Sequence, residues 1–255
     1  MTVLLFTLAG GAIVGLAVGA LGGGGGVLAV PVLIYLLGLS PVDAGTASLI
    51  IVLATAIVAL ARHARAGLVS WRTGAVFASA GLIPAIAASA LSPYLPRPVL
   101  TGAFAVLAVA AAVAMLSPMA APPAARGSTV LTRHRTSVPV AAGAGLGAVT
   151  GLLGVGGGFL TVPTLVTVLS LRMKVAVGTS LLVITITSAA ALGTRLLTVG
   201  VSLDWPVVAP FIGAAILGAW DGKRLAGRHS GATLQRAFAL LLLAIAAFML
   251  VETVT

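Results

Sequence analysis

The chain has no cysteine, which excludes disulfides, thiolate metal sites and thiol catalysis at once. Charge is nearly as scarce. Asp, Glu, Lys and Arg make up 7% of 255 residues, and only four residues are acidic. A soluble domain carries about 25% charged residues, so this chain lacks the polar surface a water-soluble globule needs. No Gly-Lys-Ser/Thr follows either of its glycine clusters, and no acid stands ready for a ribose or magnesium, so a phosphate-loop nucleotide site is excluded. The start, MTVLLFTLAG, has no Lys or Arg for a basic leader region, which argues against a cleaved signal peptide. No acid, histidine or cysteine pair falls where chemistry could occur inside an apolar span, so the chain is not expected to be an enzyme, and neither metal nor cofactor is expected.

What is present is apolar. Hydrophobic residues make up 60% of the chain, with a mean hydropathy of +1.23. The net charge of +10 comes from 14 Lys and Arg in short connections between apolar segments. That placement points to anionic lipids and the positive-inside rule, not to nucleic acid. The expected class is an all-α polytopic membrane protein.

Two stretches break the apolar pattern in the same way: GGGGGVLAVP at 22–31 and GVGGGFLTVP at 154–163. Sliding the chain on itself by 132 residues lays Pro31 on Pro163, ASL (47–49) on TSL (179–181) and Gly81 on Gly213. An offset of 134 lays Trp71 on Trp205, AFA (103–105) on AFA (237–239) and Met115-Leu116 on Met249-Leu250. Ordered anchors over such a length identify a duplicated unit: a first repeat at 1–117, a cytoplasmic linker at 118–137 and a second repeat at 138–255.

Each unit holds two arms around a glycine loop, then three spans. The arms are expected at 3–21 and 27–38, and at 138–153 and 159–170. The spans are expected at 44–61, 73–92 and 98–117, and at 175–194, 205–222 and 233–251. About 20 residues cross a bilayer as a helix; the second arms are too short, which suggests a hairpin that returns to its starting face. Charge supports that topology. With returning hairpins, 12 of the 14 basic residues lie inside and only Arg97 and Arg195 outside; with crossing hairpins the split is seven and seven. Asp43, Asp204 and Glu252 then fall outside, as do both termini. A returning pair plus three spans is an odd number of crossings, so the two repeats have inverted topology, a recurring transporter architecture.

These doubled G-x-G-G-G-x-x-x-V-P elements, with AGTASL and AVGTSL after them and Trp71 and Trp205 opening later spans, resemble the TauE/SafE family of sulfite exporters and related anion permeases. The resemblance covers about 10–250. It implies a transporter of sulfite, a sulfonate or a similar organosulfur anion in the bacterial inner membrane, with export preferred. A permease for another small solute such as a carboxylate, or a non-transport membrane scaffold, is the alternative. The first unit carries Ala47 where the second has Thr179.

The residue chemistry fits an anion. Irregular backbone inside a bilayer is tolerated only where protein or a wet cavity surrounds it, and a glycine loop opening a helix presents free N–H groups at the positive end of the dipole. The candidate binding residues are Gly24, Gly25, Gly26 and Val27 in the first loop and Gly156, Gly157, Gly158 and Phe159 in the second. Two such loops meeting near the midplane would share one small anion. Thr46, Ser48, Thr179 and Ser180 open the next spans and can add hydroxyl donors, although such groups commonly bond their own backbone. Arg195 is a candidate for an outer vestibule. The upstream GxxxG runs, Gly11-Gly15-Gly19 and Gly143-Gly147-Gly151, are expected to pack helices together. Pro31 and Pro163 are expected to end or kink the short arms. His63, His134 and His229 are expected in cytoplasmic connections. No acid lies clearly within a span, so a gradient-driven anion pathway fits better than an energised pump. Oligomeric state is not fixed by the sequence.

Overall fold

In a bilayer core every backbone N–H and C=O must find a partner within the protein, and a helix does this within its own segment. The computed structural model describes residues 2–22, 28–39, 41–91, 97–116, 137–153, 158–198 and 205–254, and among these there is helix but no strand. The linker at 118–137 lies outside the described residues except for Ser137.

The first repeat contains α1 (Thr2–Leu21), a short α2 (Ala29–Pro31) that passes into a π-helical turn (Val32–Leu36), α3 (Pro41–Arg65), α4 (Trp71–Leu91) and α5 (Arg97–Leu116). The second contains α6 (Ser137–Leu153), α7 (Gly158–Thr167), α8 (Met173–Thr198), α9 (Trp205–Arg228) and α10 (Gly231–Val254). The two series match element for element. Three stretches, Asp43–Arg65, Met173–Thr194 and Gly231–Phe248, are long and apolar enough to cross a membrane; α1, α5 and α6 carry shorter apolar runs.

Local chemistry explains several boundaries. In α3, Asp43 occupies the first turn while Arg62, His63 and Arg65 occupy the last, each complementing the helix dipole. Pro31 stands where α2 widens into the π-turn, consistent with its missing N–H. Pro163 behaves differently: α7 runs through it to Thr167, so it neither ends the arm nor stops the hydroxyl of Thr167 from donating to its carbonyl at 2.8 Å. His63 is a correction to the sequence reading. It lies within α3, is only 2% exposed, and its Nδ1 pairs with the Ala59 carbonyl at 2.9 Å. The flanking arginines gave the segment the look of a loop.

The most extensive packing joins the repeats to each other. α1 lies along α9, and α6, the counterpart of α1, lies along α4, the counterpart of α9. Lipid tails are as apolar as leucine, so such contacts rest on close backbone approach through small residues, not on transfer from water. A Cβ built on Gly11 would stand 2.5 Å from the Phe211 carbonyl oxygen, on Gly15 1.9 Å from that of Ala215, and on Gly19 2.4 Å from that of Ala219. Across the other interface, a Cβ on Gly143 would stand 2.4 Å from the Phe77 oxygen and one on Gly147 2.0 Å from the Gly81 oxygen. Gly11, Gly15, Gly19, Gly143 and Gly147 therefore pack helices, as expected, while the surroundings of Gly151 lie outside the description. In both pairs the contacts ascend together, so α1 runs parallel to α9 and α6 parallel to α4.

These contacts correct one register. Phe77 and Gly81 do for α6 what Phe211 and Ala215 do for α1, which is the offset of 134 that Trp71 and Trp205 already set. Gly213, matched to Gly81 in the sequence comparison, faces outward with nothing within 4 Å of a built Cβ. Two other cross-repeat pairs are antiparallel. Gln235 near the start of α10 donates to the Met115 carbonyl at the end of α5, and Gly178 near the start of α8 packs on His63 near the end of α3. Two apolar cores result. One gathers α1, α2, α3 and α9 on Leu181 and Ile184 of α8; the other gathers α4, α5, α7 and α10 on Met173, Val177 and Val183 of α8.

Candidate functional site

The end of α1 leads directly to the first glycine cluster. Gly22 has φ +70°, a left-handed conformation that a Cβ disfavours, and its N–H closes α1 by donating to Val18 at 2.8 Å. The backbone there is pressed onto α8 of the other repeat. A Cβ on Gly22 would stand 2.4 Å from Ser180 Oγ and 3.1 Å from the Val177 carbonyl oxygen. The first member of the first glycine run therefore touches the Thr-Ser pair of the second repeat.

That pair is fully buried. Ser180 donates its hydroxyl to the Val177 carbonyl at 2.8 Å. Thr179 Oγ1 accepts the Ser70 N–H at 3.0 Å, across 109 residues of sequence. Ser70 Oγ in turn donates to Thr73 Oγ1 at 2.8 Å, in the first turn of α4. A band of hydroxyls thus runs from Gly22 through Ser180 and Thr179 to the start of α4. Ser70 and Thr73 were missed from the sequence. Their signal was available: Ser70 precedes Trp71 as Asp204 precedes Trp205, and Ser and Asp are both preferred helix N-caps. Replacing Thr179 by Val should leave the Ser70 N–H without its acceptor and destabilise the protein by about 1–3 kcal/mol. Thr179→Ser should restore stability, and thermal unfolding in detergent measures both.

Positive charge lies on one side of this band. A cavity of about 80 Å³ is lined by His63, Leu68, Lys174, Val177 and Leu234. Val177 also borders Gly22, so Lys174 stands about one helical turn from the contact.

Ser48 takes part in an equivalent but separate arrangement. It is the eighth residue of α3, as Ser180 is the eighth of α8. Its hydroxyl donates to Gly45 at 2.8 Å, the same three-residue bond that Ser180 makes. Because α3 and α8 are antiparallel, with Gly178 beside His63, Ser48 stands about 22 Å farther along α3 at 1.5 Å per residue. The two matched serines are not brought together. Ala47 supplies no hydroxyl where Thr179 does. Thr46, like Ser48, is buried.

Of the other candidates, Gly24, Gly25, Gly26, Val27, Gly156 and Gly157 lie outside the described residues. Gly158 and Phe159 open α7, and Arg195 lies in the last turn of α8; the side chains of Phe159 and Arg195 are outside the description. Trp71 and Trp205 open α4 and α9 about half exposed, as suits indole at an interface. Trp220 carries the guanidinium of Arg62 at 4.3 Å from its ring centre. Arg224 pairs with Asp221 at 3.7 Å, an exposed contact of little energetic weight.

Comparison with known proteins identifies what the chain is similar to. Residues 7–249 match the family described as Sulfite exporter TauE/SafE. A protein of Xylella fastidiosa strain 9a5c, named "Probable membrane transporter protein", is 36% identical over 251 residues, covering 97% of this chain and 95% of that one. A protein of the same name from strain Temecula1 is 34% identical over the same shares. No solved structure matches significantly. An all-helical chain with spans long and apolar enough for a bilayer, glycine-packed helices and a match over nearly its whole length is a membrane transporter of the TauE/SafE family.

Proposed function

We propose that the protein carries a small oxyanion, such as sulfite, a sulfonate or a similar organosulfur anion, outward across the bacterial inner membrane. The observation that carries this reading is the contact of Gly22 with Ser180. It joins the glycine cluster of one repeat to the hydroxyl pair of the other, beside a cavity bordered by Lys174. Backbone N–H groups and hydroxyls hold an oxyanion by hydrogen bonds, without a full buried counter-charge.

The chain is read as two inverted repeats, 1–117 and 138–255, joined by a cytoplasmic linker, with both termini outside. This topology requires α1 parallel to α9, α4 parallel to α6, and the pairs α3–α8 and α5–α10 antiparallel. The observed helix directions agree with all four. Inversion would also account for the separation of Ser48 from Ser180: each glycine loop would meet the matched serine of the opposite repeat, one toward each face. An anion would pass between two equivalent stations, one accessible from each side.

Flux in proteoliposomes tests the reading. Counterflow of labelled sulfite should be competed by sulfonates and less well by carboxylates of equal charge. Gly25→Val and Gly157→Val should abolish it while the protein still inserts and elutes as a single species. Normal transport by both variants would remove the glycine loops from the pathway, and stronger competition by carboxylates would reassign the cargo.

A further inference from the structure

The two places where the repeats meet differ on the outer surface. At one of them, α5 of the first repeat and α6 and α7 of the second leave an open apolar groove of about 640 Å³, lined by Ala114 on α5, Ala141 and Gly145 on α6, and Pro163, Thr164 and Thr167 on α7. Clefts that take drug-sized ligands run from about 300 to 1,000 Å³. The equivalent place lies between α10 of the second repeat and α1 and the short arm of the first, and there an aromatic pair bridges the helices. Tyr35 of the π-helical turn and Phe248 of α10 meet edge to face, with ring centres 5.5 Å apart at 85°. At offsets of 132 and 134, Tyr35 corresponds to Thr167 and Phe248 to Ala114, both of which line the groove. Small residues line the groove where, at the matched positions, two aromatic residues bridge the other side.

We infer that this groove holds one acyl chain of an anionic phospholipid. The occupant follows from surroundings and charge. The lining is almost wholly aliphatic and belongs to a chain that lives in a bilayer, so a lipid tail is the apolar body that meets it. Its polar residues, Ser137, Thr164 and Thr167, collect at the end where α6 begins and α7 finishes. There the chain turns tightly: Leu169 donates to the Thr164 carbonyl at 3.3 Å, and Leu171 to the Leu165 carbonyl at 3.0 Å. Those bonds keep the exposed Arg172, the next residue, close to that end. Its carbonyl caps α8 by accepting from Ala176 at 2.9 Å, which leaves the guanidinium for a phosphate at the level of the headgroups. The hydroxyls edge the tail's upper end, and the aliphatic floor continues to Val149.

Photocrosslinking of the full chain in bilayers tests the assignment. Phosphatidylglycerol with a diazirine in one tail should label peptides of α5, α6 and α7. Ala114→Phe combined with Thr167→Tyr, which installs the aromatic pair of the equivalent place, should abolish that label. Tyr35→Thr with Phe248→Ala should create a new label on α1, α2 and α10. Gly145→Leu offers a second way to fill the groove, because a Cβ there meets nothing within 4 Å, and it serves if the double variant does not fold. Arg172→Gln should remove the preference for phosphatidylglycerol over phosphatidylcholine. Undiminished labelling in the filled variants overturns the site, and equal labelling by the two headgroups in the unmodified chain overturns the anionic assignment. A chain-to-chain crosslink through Gly145→Cys in bilayers would assign the groove to a second copy instead.

Discussion

Gly15→Ala should destabilise the protein by about 3 kcal/mol, the upper part of the usual range for overpacking, while Gly213→Ala should leave it unchanged or stabilise it by up to about 1 kcal/mol. Both add one methyl group to a helix glycine of the α1–α9 pair, Gly15 at the seam and Gly213 facing outward. At Gly15 the new Cβ would stand 1.9 Å from the Ala215 carbonyl oxygen, whereas real Cβ contacts essentially never fall below 3.0 Å. The obstacle is backbone and cannot rotate away, so α1 and α9 must separate by about 1.1 Å, the difference of those distances. A gap of about 0.5–1 Å forfeits a quarter to a half of each dispersion contact, and in a bilayer dispersion is the main force holding this pair together. At Gly213 a Cβ meets nothing within 4 Å, so only the helix propensity of alanine acts. Gly147→Ala, at 2.0 Å from the Gly81 oxygen, should resemble Gly15→Ala. Thermal unfolding in detergent of the three variants is the measurement, and equal midpoints would disprove the close interface.

Gly22→Ala should reduce anion flux sharply while leaving insertion intact. Two costs combine. A side chain at φ +70° is strained by about 1–2 kcal/mol, a factor of about 5–30 in any equilibrium that depends on this conformation. The methyl group would also stand 2.4 Å from Ser180 Oγ, inside a buried and hydrogen-bonded pair. Ser180→Gly in the same chain removes the second cost and not the first, so the double variant should recover part of the flux. The interaction between the two substitutions measures the contact itself. Wild-type flux in Gly22→Ala would separate the first glycine cluster from transport.

The helices were legible because their signals are local. Composition, span length and the GxxxG runs lead to elements within about four residues of those observed, except that α9 runs six residues past its expected end and takes in Lys223, Arg224 and Arg228. The register of α4 against α9 was less so, because the match of Gly81 with Gly213 is an identity of residue type, whereas packing is decided by which carbonyl faces which glycine. His63 was misplaced because its arginine neighbours have the composition of a loop, while the helix continues to Arg65 and uses those charges at its C-terminal end. In the candidate site, the matched serines were visible as a pair but not their separation. Sequence equivalence carries no distance, and antiparallel packing of α3 on α8 sends equivalent positions to different levels. Ser70 and Thr73 join the band only through a bond to Thr179 over 109 residues, which no local pattern announces.

The pairing of α1 with α9 has a consequence for how the chain is made. Gly11 of α1 waits for Phe211, 200 residues later by subtraction, whereas Phe77 of α4 meets Gly143 after only 66. α1 is thus satisfied only after the helices between it and α9 have been made. Contacts so distant in sequence form late and slowly. Until α9 is synthesised, the glycine face of α1 must be tended by lipid or by the insertion machinery. A first repeat produced alone would present that face with no partner, so the unit that was duplicated in sequence is not a unit of assembly.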